Sequence, residues 1–403
     1  MGKGIAKILS GLLVFGMVAG LVPAVPGGTV NAKATEINGQ NATAEPHTHC
    51  VCGTGNLSVE RHTHKEETWT GISKLSDINR EGNYYLTQDV TLTSAWTCQR
   101  NVNLCLNGHS ITRTAKEYYD QNGNNAVIII KNNVDFTLTD CKGTGTITHK
   151  QGVSGEGVYN DGRFFMYNGI IFGNNGGVKN PGMFFMYGGT ITSNTANNGG
   201  GVDNAGTFTM DGGTITSNTA NNGGGVYNDN AGRFIMYGGT ITGNKAEQTY
   251  GTEYGGGVYN QGTFNMYGGE ITNNTATVGG GGVFNKGTFT MSGGEITSNS
   301  SESYGGGVCY SSSQLFKMSG TVNITENKVG TTPNNLYLWN GQQVSASGLT
   351  SGAEIGVTTQ IVPINDSSVP ITSDSVSVNC FFSDNSDYET AIDENSKVVL
   401  KKK

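Results

Sequence analysis

Residues 199–228 read "GGGVDNAGTFTMDGGTITSNTANNGGGVYN", and after a single pass the chain returns almost verbatim to its starting point. Aligning on the glycine–valine step gives Val158, Val178, Val202, Val226, Val258, Val283 and Val308. Aligning on methionine gives Met166, Met186, Met210, Met236, Met266, Met291 and Met318. The two series advance together, mostly in steps of 20 to 27 residues. The longest valine step contains the extra "EQTYGTEYG", which reads as a loop inserted at one corner.

Within one repeat the hydrophobic residues keep a period of two, through Val202, then Phe208 and Met210, then Ile215 between Thr214 and Thr216. Helical spacing fails in runs such as "GTFTMDGGTIT", where each glycine would cost a helix about 1 kcal/mol. Three short strands per repeat cannot bury their own inner face. Rungs stacked at about 4.8 Å can, by laying Val on Val, Phe on Phe and Ile on Ile. The reading is an all-β parallel β-helix of roughly a dozen three-strand rungs. A propeller blade needs a repeat about twice as long. Asn160, Asn180, Asn204, Asn228, Asn260 and Asn285 form one expected amide ladder; Asn194, Asn218, Asn244, Asn274 and Asn299 form a second, and both are read as structural.

The 403 residues carry 63 glycines, 7 prolines and a net charge of −7. Glycine is well above the roughly 7% of average proteins, yet no G-X-Y period appears, which excludes collagen. The negative balance and the lack of a basic stripe argue against a nucleic-acid partner. Lys3 and Lys7, an apolar run and an A-x-A arrangement around Ala32 and Ala34 read as a secretory signal over 1–34, so no transmembrane span is expected in the mature chain. The remaining divisions are a Cys/His-rich segment over 35–70, lead-in rungs over 71–154 that include "AVIIIKN" and "DFTLTD", repeat rungs over 155–325, and C-terminal rungs with a cap over 326–403.

Two outward columns are aromatic. One runs through Tyr159, Lys179, Asp203, Tyr227, Tyr259 and Phe284; the other runs through Tyr167, Tyr187, Asp211, Tyr237 and Tyr267. Solvent-facing aromatics at rung intervals suit stacking on sugar rings or anchoring an interface. Tyr227, Tyr259, Phe284, Tyr237 and Tyr267 are therefore the candidate ligand-binding residues. The plain alternative is that stacked rings only stabilise neighbouring rungs. Catalysis has weaker support. Glu270 and Glu295 occupy equivalent positions one rung apart, the separation of a retaining glycosidase pair, but on an open face. Asp203, Asp211 and Lys179 approach a lyase-like cluster only sparsely. The threonine array Thr190/Thr192, Thr214/Thr216 and Thr240/Thr242 resembles an ice-binding face until Glu270 and Glu295 interrupt it.

Soft metal ligands concentrate in "HTHCVCGTGNLSVERHTH" at 47–64. A C-x-C followed by an H-x-H can form a hairpin with Cys50, Cys52, His62 and His64 around a structural zinc ion, with His47 and His49 as further candidates. A metal-scavenging tail or disulfides are the alternatives, although adjacent-strand Cys50 and Cys52 can hardly bridge each other and 7 cysteines cannot all pair.

The "GGGVYN" and "ITSN" elements resemble the repeats of right-handed parallel β-helix surface proteins. They are similar to the G-G-A-I and F-x-x-N repeats of polymorphic membrane protein-type adhesins, over about 155–325. "VNLCLNGHSI" and "NLYLWNGQQV...LTSGAEIGV" look like flanking segments of cell-surface β-helix proteins of gut Firmicutes. The resemblance implies a right-handed helix that is secreted or associated with a cell wall. On this reading it is a non-catalytic binder of polysaccharide, host glycan or host surface, with other cell-wall proteins as candidate partners. The adhesins' C-terminal barrel has no counterpart, so their route to the surface does not carry over. The alternatives are a polysaccharide lyase or glycoside hydrolase and a passive spacer, because fold alone does not choose among them.

Overall fold

In the computed structural model, residues 47–51, 65–115, 125–247, 254–377 and 379–403 are described. The signal expected over 1–34 lies outside them. The chain is all-β, dominated by one sheet of 32 strands. No helix among the described residues is long and apolar enough to cross a membrane.

Each repeat places its strands parallel to their equivalents one repeat earlier and later. Val158, Val178, Val202, Val226, Val258, Val283 and Val308 stand in one continuous register that runs on through Leu336 to Val357. Phe164, Phe184, Phe208, Phe234, Phe264, Phe289 and Phe316 make a second ladder, their ring centroids 4.4–4.8 Å apart. Ile171, Ile191, Ile215, Ile241, Ile271, Ile296 and Ile324 make a third. All these side chains are fully buried or nearly so, and with the methionines they fill a single core. Stacking like on like lets the same packing contacts repeat from rung to rung.

The expected three-strand rung is incomplete. The "TANN" segment adds a fourth short strand: Thr195–Asn198, Thr219–Asn222, Lys245–Ala246, Thr275–Ala276, Ser300–Ser301 and Lys328–Val329 pair in parallel as a separate ladder. A fold-back through glycine brings the chain from this ladder to the next valine strand. At Gly201 an added Cβ would lie 2.6 Å from both the Gly225 oxygen and Ile215 Cγ2, so no larger residue fits between rungs.

Both asparagine ladders form. Side-chain amides link Asn160 to Asn285 in steps of 2.6–2.7 Å. The second ladder is longer than the sequence suggested: it starts at Asn174, continues past Asn299 to Asn327 and Asn335, and has steps of 3.0–3.1 Å. The lead-in strands include Ile128–Ile130 and Asp135–Thr139. At the other end Ser368–Pro370, Tyr388–Ile392 and Val398–Lys402 form an antiparallel sheet whose Val398 and Leu400 join the core.

Candidate functional site

The first aromatic column stands in the expected register, and it continues beyond Phe284 to Cys309 and Tyr337. Tyr227 and Tyr259 stack with centroids 5.4 Å apart, and Tyr259 and Phe284 with 5.6 Å. The column is nevertheless not a solvent-facing platform, and on this point the sequence reading is corrected. Tyr259 and Phe284 are only 3% exposed, and with Cys309 and Tyr337 they form an apolar cluster outside the main core, joined by Tyr304 and Trp339. The glycine turn before strand Val283–Asn285 folds back over this face: a Cβ at Gly279 would lie 3.6 Å from Phe284 Cε2. Tyr227 is half-buried and donates its hydroxyl to Gln261 Oε1 at 2.8 Å. Burial, with Asp229 and Asp203 nearby, pushes its pKa up to about 12.

The second column does face solvent. Tyr237 is 44% exposed and Tyr267 46%, and their rings stack at 5.1 Å with planes 14° apart. Toward the N-terminus Tyr167 and Tyr187 stack at 4.8 Å, both half-buried. Asp211, itself buried, stands between the two pairs. On the same face, one column over, Phe165 and Phe185 stack at 5.1 Å and are followed in register by Thr209 and Ile235. This face therefore carries two pairs of stacked tyrosines, separated by a rung that presents Thr209 and Asp211.

The carboxylates divide among separate places. Glu270 and Glu295 are paired in register and both exposed. Lys179 and Asp203 are paired on the valine ladder, Nζ to Oδ2 3.8 Å, while Asp211 lies on the Tyr187–Tyr237 column of a different strand set. The expected proximity of Asp203, Asp211 and Lys179 is thus reduced to one ion pair. That pair sits in a groove of about 250 Å³ between the valine ladder and the "TANN" ladder, lined also by Glu156, Asn175, Asn197 and Asn198. Burial outweighs the Lys179 ammonium and raises the Asp203 carboxyl to about 6, with Asp229 and Glu156 adding to the rise.

A third candidate lies at the N-terminal end. Strand Thr48–His49 pairs antiparallel with Glu67–Thr68, a pairing that lies outside the C-x-C and H-x-H of the expected hairpin, whose Cys52, His62 and His64 fall outside the described residues. His47 stacks on Tyr85 at 4.1 Å, and His49 stacks on Trp69 at 4.4 Å. The strand Val102–Cys105 puts Leu104 into the core and turns Cys105 outward beneath this strand pair, and Cys141 follows the next strand of the ladder. Cys105 Sγ lies 3.5 Å from Cys141 Sγ, which lies 3.8 Å from His47 Nε2. The ligand atoms of His47, His49, Cys105 and Cys141 all fall within 4.8 Å of one another, a His2Cys2 group able to hold a metal ion. Burial pushes the Cys105 thiol up to about 12, and burial with the neighbouring His49 and Lys142 lowers the His47 pKa.

Of the four zinc ligands expected from sequence, Cys52, His62 and His64 lie outside the described residues, and Cys50 is not among the four clustered here. The sequence reading missed Cys105 and Cys141. Their signal was positional: both fall at the ends of consecutive lead-in strands, outside the glycine–valine repeats, where thiols have no part in the repeating core. Compared with known proteins, the chain matches no family model, no curated protein and no solved structure, so its likeness to adhesin repeats rests on the quoted elements alone.

Proposed function

We propose that the chain is a right-handed parallel β-helix of the adhesin-like kind, exported and associated with a cell surface. Its role on this reading is non-catalytic binding of an extended polymer, polysaccharide or host glycan. The observation that carries the proposal is the exposure of Tyr237 and Tyr267, whose stacked rings stand one rung apart. Such rings offer apolar surfaces with polar rims to successive sugar units. Tyr187 and Tyr167 extend the same line across Asp211, so a chain-like ligand can engage several weak sites at once and gain affinity through multivalency. Tyr227 serves at most as a half-exposed margin, while Tyr259 and Phe284 act in packing. The metal, on this account, is zinc in a structural role. A glycan array probed with the purified protein tests the proposal: binding to an extended glycan is expected, and absence of binding to every glycan and to intact cells contradicts it.

A second reading rests on the groove holding Asp203. A carboxyl titrating near 6 beside an ammonium and a second carboxylate can donate and accept protons at neutral pH, as general acid–base chemistry on a polysaccharide requires. New reducing ends released from plant or mucin polysaccharides, and lost in Asp203→Asn, would replace binding with cleavage as the activity.

A further inference from the structure

We infer that His47, His49, Cys105 and Cys141 bind one zinc ion, and that this ion fastens the N-terminal hairpin to the outer side of the first rungs; the inference rests on the reading above that the structural metal is zinc. It assigns the thiolates to Cys105 and Cys141 in place of Cys50 and Cys52.

The histidines are prepared for metal. His49 Nδ1 is 2.6 Å from the Cys50 carbonyl oxygen, which can only accept, so Nδ1 carries the proton and Nε2 keeps its lone pair. Nε2 is buried and has no hydrogen-bond partner, although the residue is only 7% exposed. A buried acceptor left in that state costs about 1–3 kcal/mol unless something occupies it. A carbonyl holding one ring nitrogen while the other faces inward is the usual outer support of a metal-bound imidazole. Stacking on Trp69 and Tyr85 fixes the planes of His49 and His47.

The sulfur separation fits the same ion. At 3.5 Å the two Sγ atoms are too far apart for a bond of about 2.05 Å. They are close to the edge of about 3.8 Å that a tetrahedron with Zn–S bonds of about 2.3 Å requires. Two thiolates and two neutral imidazoles around Zn²⁺ sum to no net charge, so the group can be buried without an uncompensated ion. Two sulfur and two nitrogen donors favour zinc over calcium or magnesium, which take oxygen. Four protein ligands beneath stacked rings leave no position for a reacting water, which makes the site structural.

The site joins parts of the chain remote in sequence. His47 and His49 come from the hairpin, Cys105 ends one strand, and Cys141 follows the strand stacked next to it. Binding metal therefore closes the hairpin over Tyr85 and ties two successive rungs together.

The test uses the full mature chain, purified under reducing conditions and loaded with zinc alone, then with cobalt as a spectroscopic substitute. One zinc per chain is expected, and the cobalt form should show thiolate-to-metal charge transfer. Cys105→Ser with Cys141→Ser should lose both signals, while Cys50→Ser with Cys52→Ser keeps both. His49→Ala should weaken zinc retention while circular dichroism stays β-rich, a readout that separates ligand loss from unfolding. Zinc that survives the Cys105/Cys141 substitution, or is lost with Cys50/Cys52, overturns this ligand set while leaving structural zinc in place. A reduced wild-type chain that takes up no zinc overturns both, as does a Cys105–Cys141 disulfide that reduction followed by zinc cannot replace.

Discussion

The amide of Asn335 donates to Asp384 Oδ1 at 2.6 Å, and the Asn335 backbone N–H donates to Oδ2 at 2.8 Å. This carboxylate terminates the amide ladder that begins at Asn174, beside His149 Nδ1 at 2.9 Å. Each amide in the ladder donates toward the C-terminus, so the last one needs an acceptor, and Asp384 supplies it while also receiving the Thr358 hydroxyl at 2.8 Å. The ladder thus has a defined polarity and a defined end.

Replacing Asp384 with alanine removes the acceptor for three donors at once. A loss of roughly 2–4 kcal/mol is expected from stranding them. Burial raises the Asp384 carboxyl despite these bonds, which favour its charged form. Because its folded-state pKa lies above the ordinary value, its linked contribution is greatest in acid and declines as pH rises through the shifted value. Chemical denaturation of Asp384→Ala at several pH values checks both statements, and an unchanged midpoint would contradict the role given to Asp384.

Asp203 gives a second pH test with a stated window. Its folded pKa of about 6 lies above the ordinary carboxylate value, so the proton favours the fold. Stability tied to this group is fully present below about pH 4 and is lost as pH rises through 6. Asp203→Asn should therefore match the wild type near pH 4 and exceed it by roughly 1–3 kcal/mol at pH 7.5. Thermal unfolding across that range measures the difference; equal stability at both ends would mean that Lys179 fully compensates the buried charge.

The two aromatic columns should respond in opposite ways to truncation. Phe284→Ala opens a cavity in the outer apolar cluster and is expected to cost about 3–5 kcal/mol. Tyr267→Ala, on the exposed column, should change stability by no more than about 0.5 kcal/mol. Urea midpoints of the two variants decide the matter, and a large loss at Tyr267 would make its ring a packing element.

The sequence carried the inner ladders clearly, because Val, Phe, Met, Ile and Asn recur at fixed phases and a parallel register demands identical residues on successive rungs. The outer surface was harder to read. Tyr227 and Tyr237, at different positions of the repeat, both read as outward aromatics, but a glycine turn covers the continuation of one column and leaves the other open, and nothing in the residues shows which way a glycine segment folds. The fourth strand was hidden for a related reason: "TANN" has no apolar period beyond Ala196 and Ala220. The His2Cys2 cluster was half visible. His47 and His49 stood in the motif, whereas Cys105 and Cys141 reach it only through stacking of strands 36 residues apart.

The most direct test of the functional account is retention of the protein on immobilised polysaccharide before and after removing the exposed ring pair. Tyr237→Ala with Tyr267→Ala should leave the circular dichroism spectrum and unfolding midpoint nearly unchanged while cutting retention at least tenfold, about 1.4 kcal/mol. Tyr227→Ala should have a much smaller effect. Retention of the folded double variant equal to that of the wild type would contradict a binding role for this face.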